Sequence, residues 1–248
     1  MPLDRRFQGK VAIVTGAGSG IGAAIARRLA AEGAAVAVSD LNGDAATAIA
    51  EELRRGGARA IADTTDVGDE GAVRSLVDRA VSELGPLDVL VNNAGIGEKP
   101  TPIDERTAEE WHRVIRVNLD GVFFGVKHAA RVMKAAKRGV IVNISSILGL
   151  VGLSGAPAYT AAKHGIVGLT KAVALELAPF KIRVVSVNPA FIRTPLIKGM
   201  EESMLPLHPI GRLGESEEVA SLVAYLASEE AAFLTGASYL VDGGYTAQ

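Results

Sequence analysis

The sequence predicts one α/β domain over residues 1–248: a doubly wound, parallel seven-stranded sheet with helices on both faces. Three observations predict it. Short apolar, β-branched runs alternate with segments of helical periodicity, at a spacing of about 25 residues in the first half. The strand candidates are continuous apolar runs rather than alternating ones, as expected where both faces of a sheet are covered. No linker, low-complexity tract or tandem repeat interrupts the 248 residues, and one α/β domain reaches that length unaided.

The elements follow in order. "KVAIVTG" (10–16) reads as the first strand. Segment 20–33 has helical periodicity and stops at Gly33, a residue suited to a helix C-terminus. Strand "AAVAVSD" (34–40), helix 44–57 and strand 58–66 repeat the unit. Helix 69–85 and strand "LDVLVNNAG" (87–95) complete a βαβαβαβ series, whose crossovers should be right-handed. The second half opens with one long helical region, 109–139. Strand 140–146, helix 158–179, strand 181–190, helix 215–228 and strand 237–244 follow. Segment 191–214 is irregular and rich in Pro, Gly and Met; a stretch of that kind in a compact domain is usually functional, and a substrate lid is expected.

Composition excludes several functions. A net charge of −2 leaves no electrostatic footprint for nucleic acid. The absence of cysteine rules out disulfides, thiolate metal sites and thiol nucleophiles. No run of about 18 apolar residues occurs, and "MPLDRRFQGK" lacks an apolar signal core, so a cytoplasmic protein without a membrane segment is expected. His112, His128, His164 and His208 show no metal-ligand spacing. "GLSGA" (152–156) lacks the last glycine of a serine-hydrolase elbow.

The chemistry-bearing patterns lie at strand ends. The first strand runs into "TGAGSGIGAAIA" and a helix. Glycines at such a turn let backbone approach a phosphate, and the helix N-terminus favours negative charge. The spacing of Gly16, Gly20 and Gly22 departs from the strict G-x-G-x-x-G pattern. Asp40 ends the next strand, about 20 residues on, where a carboxylate accepts from a ribose 2′-hydroxyl and repels a 2′-phosphate. Its alternative is a helix N-cap. Leu41 and Asn42 follow it rather than arginine, which points to NAD over NADP. Later, "YTAAKHG" places Tyr159 and Lys163 one helical turn apart on one face. By itself the pair is either an ordinary surface pair or a phenol made more acidic by a nearby ammonium.

Taken together, "TGAGSGIG", "NNAG" (92–95), Ser146 with Tyr159 and Lys163, and the closing "GASYLVDGG" resemble the short-chain dehydrogenase/reductase family, in order and over essentially the whole chain. "AFIRTPL", "GRLGE" and "DGGYTAQ" are most similar to its bacterial secondary-alcohol dehydrogenases. The resemblance implies a Rossmann-type domain and a hydride transfer between NAD(H) and a secondary alcohol or ketone. It implies Tyr159 as general acid/base, Lys163 as ribose ligand and tuner of the phenol, Ser146 on the substrate oxygen, and Asn118 holding a water in a proton relay. Alternation along the strand favours Ser146 over its neighbour Ser145.

Further implied cofactor contacts are Gly16, Ser19, Gly20, Ile21 and Gly22 in the turn, Asp40 and Leu41, and Asp66 and Val67 around adenine. Asn93, Ala94 and Gly95 belong beneath the ribose; Pro189, Ile192 and Thr194 belong near the nicotinamide. Asn92 reads as a bridge between strands. The family usually has Pro-Gly after the sixth strand; this chain has Pro189 and Ala190, whose methyl must fit and whose backbone angle alanine must tolerate. The alternative enzyme is a reductase of 3-oxoacyl groups on a carrier protein, which prefers NADP. A homo-oligomer, a tetramer, is expected, because helix 158–179 is apolar nearly all round. Gln248 is a speculative ligand for a structural Mg²⁺ at a subunit contact. The substrate is expected to be a neutral, hydrophobic ketone, with walls from Ile96, Ile147, Leu148, Leu153 and Phe191 and from Met200, Met204 and Leu205 in the lid. Arg193 should face outward or pair structurally.

Overall fold

A computed structural model describes residues 5–248; the first four residues of the N-terminal stretch lie outside it. In chain order the elements are β1 (Val11–Thr15), α1 (Gly20–Ala31), β2 (Ala35–Asp40), α2 (Gly43–Arg55), β3 (Ala60–Thr64), α3 (Glu70–Leu84) and β4 (Val89–Asn92). Then come α4 (Ala108–Ile115), α5 (Gly121–Ala136), β5 (Gly139–Ile144), α6 (Pro157–Leu177), β6 (Ile182–Pro189), α7 (Glu201–Met204), α8 (Ser216–Ala227) and β7 (Ser238–Val241). The strands form one parallel seven-stranded sheet, as the sequence predicts, in the order β3-β2-β1-β4-β5-β6-β7.

The continuous apolar strands are explained by two cores. Ala12 and Val14 of β1 pack with Ile25 and Leu29 of α1, Ile49 of α2 and Val223 of α8. Val11 and Ile13 point the other way, into Leu76 of α3, Met133 of α5 and Ile166 of α6. Successive strand side chains face opposite sides, so a strand covered twice must be apolar at every position. Each fully buried Ile or Leu contributes about 1.5–3 kcal/mol relative to exposure.

Helix ends follow their local signals. Asn42 caps α2 by accepting from the amide of Ala45, and Asp69 caps α3 through Ala72. Thr107 and Glu110 form a reciprocal capping box on α4. Gly33 follows α1 at φ +99°, a left-handed exit that glycine takes without a Cβ clash.

Two expectations need correction. The single helix over 109–139 is three pieces: α4, a π-turn at Arg116–Asp120, and α5. One extra residue per turn swings Asn118 inward beneath the end of β4, where it is fully buried. The strand read as 87–95 leaves the ladder after Asn92, because 93–95 turn out of the sheet to line a cleft. The irregular segment 191–214 holds two 3₁₀ turns and the short α7. Its ends meet where Ile192 bridges Gly214, and Arg193 donates its amide to Gly214 O at 2.8 Å.

Candidate active site

β1 is paired with β2 on one side and β4 on the other. The chain therefore reverses its winding at β1, and the connections diverge there, opening a crevice at the strands' carboxyl ends. That cleft has a volume of about 540 Å³.

Its floor is backbone. Gly16 sits at φ +62°. A Cβ on Gly22 would lie 2.1 Å from the carbonyl oxygen of Gly16, so α1 packs on the turn only with glycine there. Gly22 thus shapes the cradle from behind and does not line it, while Gly16, Ser19, Gly20 and Ile21 do. The Ser19 side chain makes no capping bond, which leaves the positive end of α1 turned to the cleft. This cradle fits a dinucleotide's diphosphate.

Asp40 lines the cleft with Leu41. Its Oδ2 accepts from the amide of Gly18 at 2.9 Å, and its Oδ1 from that of Asn42 at 2.9 Å. The carboxylate therefore clasps the glycine turn; the cap of α2 is Asn42, not Asp40. Asp66 accepts from Arg116 Nη1 at 2.9 Å and from the amide of Gly68 at 2.9 Å. The Arg116 hydrogen bond chiefly holds its carboxyl below the usual range. Val67 stands beside it. Asn93 donates to the carbonyls of Thr15 and Gly16, pinning the glycine turn to the end of β4, with Ala94 and Gly95 alongside. Asn92 donates to Asn143 at 2.9 Å, the interstrand bridge expected of it.

Ser146, Tyr159 and Lys163 converge on the cleft from the end of β5 and from α6. Ser146 follows β5; its Oγ accepts from the amide of Leu148 at 3.1 Å. Ser145 turns away and donates to Lys163 O at 2.9 Å, so it anchors α6 instead. Tyr159 and Lys163 share one face of α6, and the ammonium lies 5.3 Å from the ring centroid. Lys163 Nζ donates to Ile144 O at 2.9 Å, which commits one of its three protons.

The tuning expected of this pair is not what the chain alone produces. Burial pushes the Tyr159 phenol up to about 12, with a Ser146 hydrogen bond as the smaller opposing effect. Burial also pushes the Lys163 amine down to about 8. Low dielectric penalises both charged forms, and the ammonium sits over the ring rather than against the hydroxyl.

Asn118 lies behind the cleft wall. Its amide protons go to Ile96 O and Val114 O, and its oxygen accepts from the Ile96 amide. Pro189, Ile192 and Thr194 line the far end. Ala190 adopts no positive φ, so the substitution for the family's glycine fits without backbone strain.

The expected wall is largely different. Among its residues only Ile96 lines the cleft. Ile147 and Leu148 are core residues, and Phe191 turns to His208 and Tyr245. Leu153 lines a separate open groove with Pro100 and His164. Val117, Pro195, Leu196 and Ile197 line the cleft instead. Arg116, two residues before Asn118 in the sequence, also lines the cleft, where no sequence pattern singles it out. Arg193 pairs with Glu215 at 3.1 Å, as expected. Gln248 is exposed and donates to Leu207 O. Among the described residues no group of three or more His, Asp or Glu is arranged to hold a metal. No described helix is long and apolar enough to cross a membrane.

Comparisons with known proteins agree with this geometry. A family model described as enoyl-(acyl carrier protein) reductase matches residues 16–246. The chain is 46% identical over 247 residues to the cyclohexanol dehydrogenase of Acinetobacter sp. (strain SE19), covering 99% of this chain and 98% of that one. It is 49% identical to the cis-4-hydroxycyclohexanecarboxylate dehydrogenase of Sinomonas cyclohexanicum, over 99% of this chain and 100% of the relative. The solved structure of a short-chain type dehydrogenase/reductase from Mycobacterium marinum superposes with a TM-score of 0.95 at 37% identity, over 99% of this chain and 98% of that one. With its full length matched in both sequence and fold, the chain belongs to the short-chain dehydrogenase/reductase family and is an oxidoreductase.

Proposed function

We propose that the protein moves a hydride between NAD(H) and a neutral secondary alcohol or its ketone, with Tyr159 as general acid and base. One observation carries this: Ser146, Tyr159 and Lys163 open onto the same cleft as the glycine turn and Asp40. A bound nicotinamide dinucleotide supplies the hydride donor or acceptor. The turn and the α1 N-terminus receive its diphosphate, and Asp40 accepts from the adenosine ribose and repels a 2′-phosphate. Asp66 and Val67 frame the base, and Ile192 and Thr194 hold the other end.

Tyr159 is protonated at neutral pH, so in reduction its hydroxyl donates to the carbonyl oxygen. Ser146 accepts from the backbone amide of Leu148, and its own proton makes only a long contact of 3.5 Å to Pro189 O, which it can exchange for the developing oxyanion. Lys163 keeps two donors for ribose hydroxyls. Both amide protons of Asn118 are committed, so a relay water there would be held through an acceptor rather than by its NH₂ group.

The substrate proposed is a small ring ketone. The cleft wall near Tyr159 is apolar, through Ile96, Pro195, Leu196 and Ile197. The two nearby arginines are already matched, Arg116 by Asp66 and Arg193 by Glu215. A cyclohexanol dehydrogenase among the relatives supports this choice; the hydroxycyclohexanecarboxylate relative supplies the charged competitor. The test compares kcat/KM for cyclohexanone and 4-oxocyclohexanecarboxylate, each with NADH and NADPH. Preference for cyclohexanone with NADH is expected; preference for the acid overturns the substrate, and preference for NADPH overturns the Asp40 assignment. The description of the matching family model favours a second reading, reduction of carrier-bound acyl groups. Turnover of a carrier-bound acyl substrate ahead of cyclohexanone would establish it.

The subunits are proposed to assemble as a homotetramer. Leu175 on α6 is 80% exposed and Phe123 on α5 is 45% exposed, an apolar face that a second copy would cover. Light scattering at micromolar concentration tests this, and a monomeric mass overturns it.

A further inference from the structure

α6 carries Tyr159 in its first turn, yet its N-cap, Ala156, has no side chain able to cap it. The orphan amides are satisfied from far along the chain. Glu98, in the loop after β4, accepts from the amide of Tyr159 through Oε2 at 2.7 Å and from that of Ala158 through Oε1 at 3.3 Å. These are the second and third helical positions, which an N-cap Ser or Asp ordinarily serves. The negative charge also sits at the favourable end of the helix dipole.

The carboxylate is itself held. Arg106 Nη1 lies 2.9 Å from Glu98 Oε1, and the two side chains are 4% and 1% exposed. Arg106 Nη2 donates to Lys99 O and to Gly155 O, which joins the loop after β4 to the loop before α6. Glu110 lies at 3.9 Å on the rim of the pair. Glu98 does not line the cleft, but Ile96, two residues before it, does. The same short loop therefore carries a wall of the substrate site and fixes the backbone of the proton donor.

We propose that Glu98, held by Arg106, is a positioning residue for Tyr159: it caps the catalytic helix from outside and sets where the phenol stands relative to the substrate oxygen. This rests on the reading of Tyr159 as the proton donor. A buried ion pair is a costly way to anchor a loop, because both charges leave water. Its placement on the amide of Tyr159 itself gives that cost a function, since proton transfer is sensitive to displacements of about 1 Å.

The test uses Glu98→Gln and the double variant Glu98→Gln/Arg106→Met. A glutamine presents an NH₂ where one carboxylate oxygen accepted, and it leaves Arg106 without its counter-charge. For Glu98→Gln, kcat should fall about tenfold. The Kd for NADH should stay unchanged by fluorescence titration, and the solvent deuterium isotope effect on kcat should rise as proton donation becomes limiting. The double variant removes the orphaned charge, so Tm should recover toward the parent while kcat stays low. Recovery of kcat together with Tm overturns the proposal, because the pair is then only a structural anchor. So does a Glu98→Gln enzyme with parental kcat and isotope effect. Tyr159→Phe, measured in parallel, separates the two levels. If it keeps turnover, the proton-donor assignment fails and takes this proposal with it; if it is inactive while Glu98→Gln is unaffected, this proposal alone fails.

Discussion

The two ends of the cleft are built differently. The end between β1, β2 and β4 is made of backbone: the glycine turn, the first amides of α1, and side chains such as Asp40 and Asn93 whose partners are amides and carbonyls of that turn. The end around Tyr159 is made of side chains from distant segments: the loop after β4, the end of β5, α6 and the turn at Pro195–Ile197. A backbone site tolerates few substitutions but recognises only what all dinucleotides share. A side-chain site is changed by single residues, so selectivity resides there.

The sharpest way to break this comparison is Tyr159→Phe. The ring still packs, so NADH binding should survive, while turnover should fall about 10²–10⁴-fold. Steady-state kinetics and a binding titration read the two ends separately. Turnover of the parental order would remove the phenol from the chemistry.

A smaller effect is expected at the backbone end. Asp40→Ser with Leu41→Arg removes the carboxylate proposed to face the ribose and adds a cation for a 2′-phosphate. The ratio of kcat/KM for NADPH over NADH should rise roughly ten- to hundred-fold, for charged hydrogen bonds worth about 1.5–3 kcal/mol. Asp40 also clasps Gly18 and Asn42, so NADH affinity should fall as well. A parental enzyme equally fast with both cofactors breaks this assignment.

The pH dependence sharpens the comparison further. With Tyr159 near 12, the free enzyme holds its proton throughout the neutral range. Alcohol oxidation needs the phenolate, so its kcat/KM should climb with pH; ketone reduction should stay level and then decline as Lys163 loses its charge near 8. Stability runs with opposite signs at the two groups. Lys163 is depressed, so its burial penalty is full below about 8 and is relieved as pH rises toward its unfolded value of 10.5. Tyr159 is raised from 10 to about 12, so stability falls as pH climbs between those values. Thermal melts of the parent and Lys163→Met should differ most below pH 8; identical profiles would show that burial does not govern the amine.

The smallest effect is expected from Arg193→Ala. Its ion pair with Glu215 is exposed on both sides, so the loss should be under about 1 kcal/mol in Tm-derived stability. If the variant instead loses activity selectively toward a ring carboxylate, Arg193 is a substrate ligand and the neutral-ketone proposal is wrong.

The sequence by itself determined the seven-strand parallel sheet, the glycine turn, and the shared helical face of Tyr159 and Lys163; that Ser146 joins them was implied by the family resemblance. The first three rest on local physics: apolar runs form doubly covered strands, glycine permits a close turn, and four residues make a helical turn. Only the tertiary structure decided the rest. It split 109–139 at a π-turn to bury Asn118, and it sent Phe191 away from the cleft to Tyr245. It set Arg116 on Asp66 and Glu98 on the amide of Tyr159. Those contacts join residues 50 and 61 positions apart. No periodicity encodes such a pairing, because it follows from how the folded loops pack and not from any property of either segment alone.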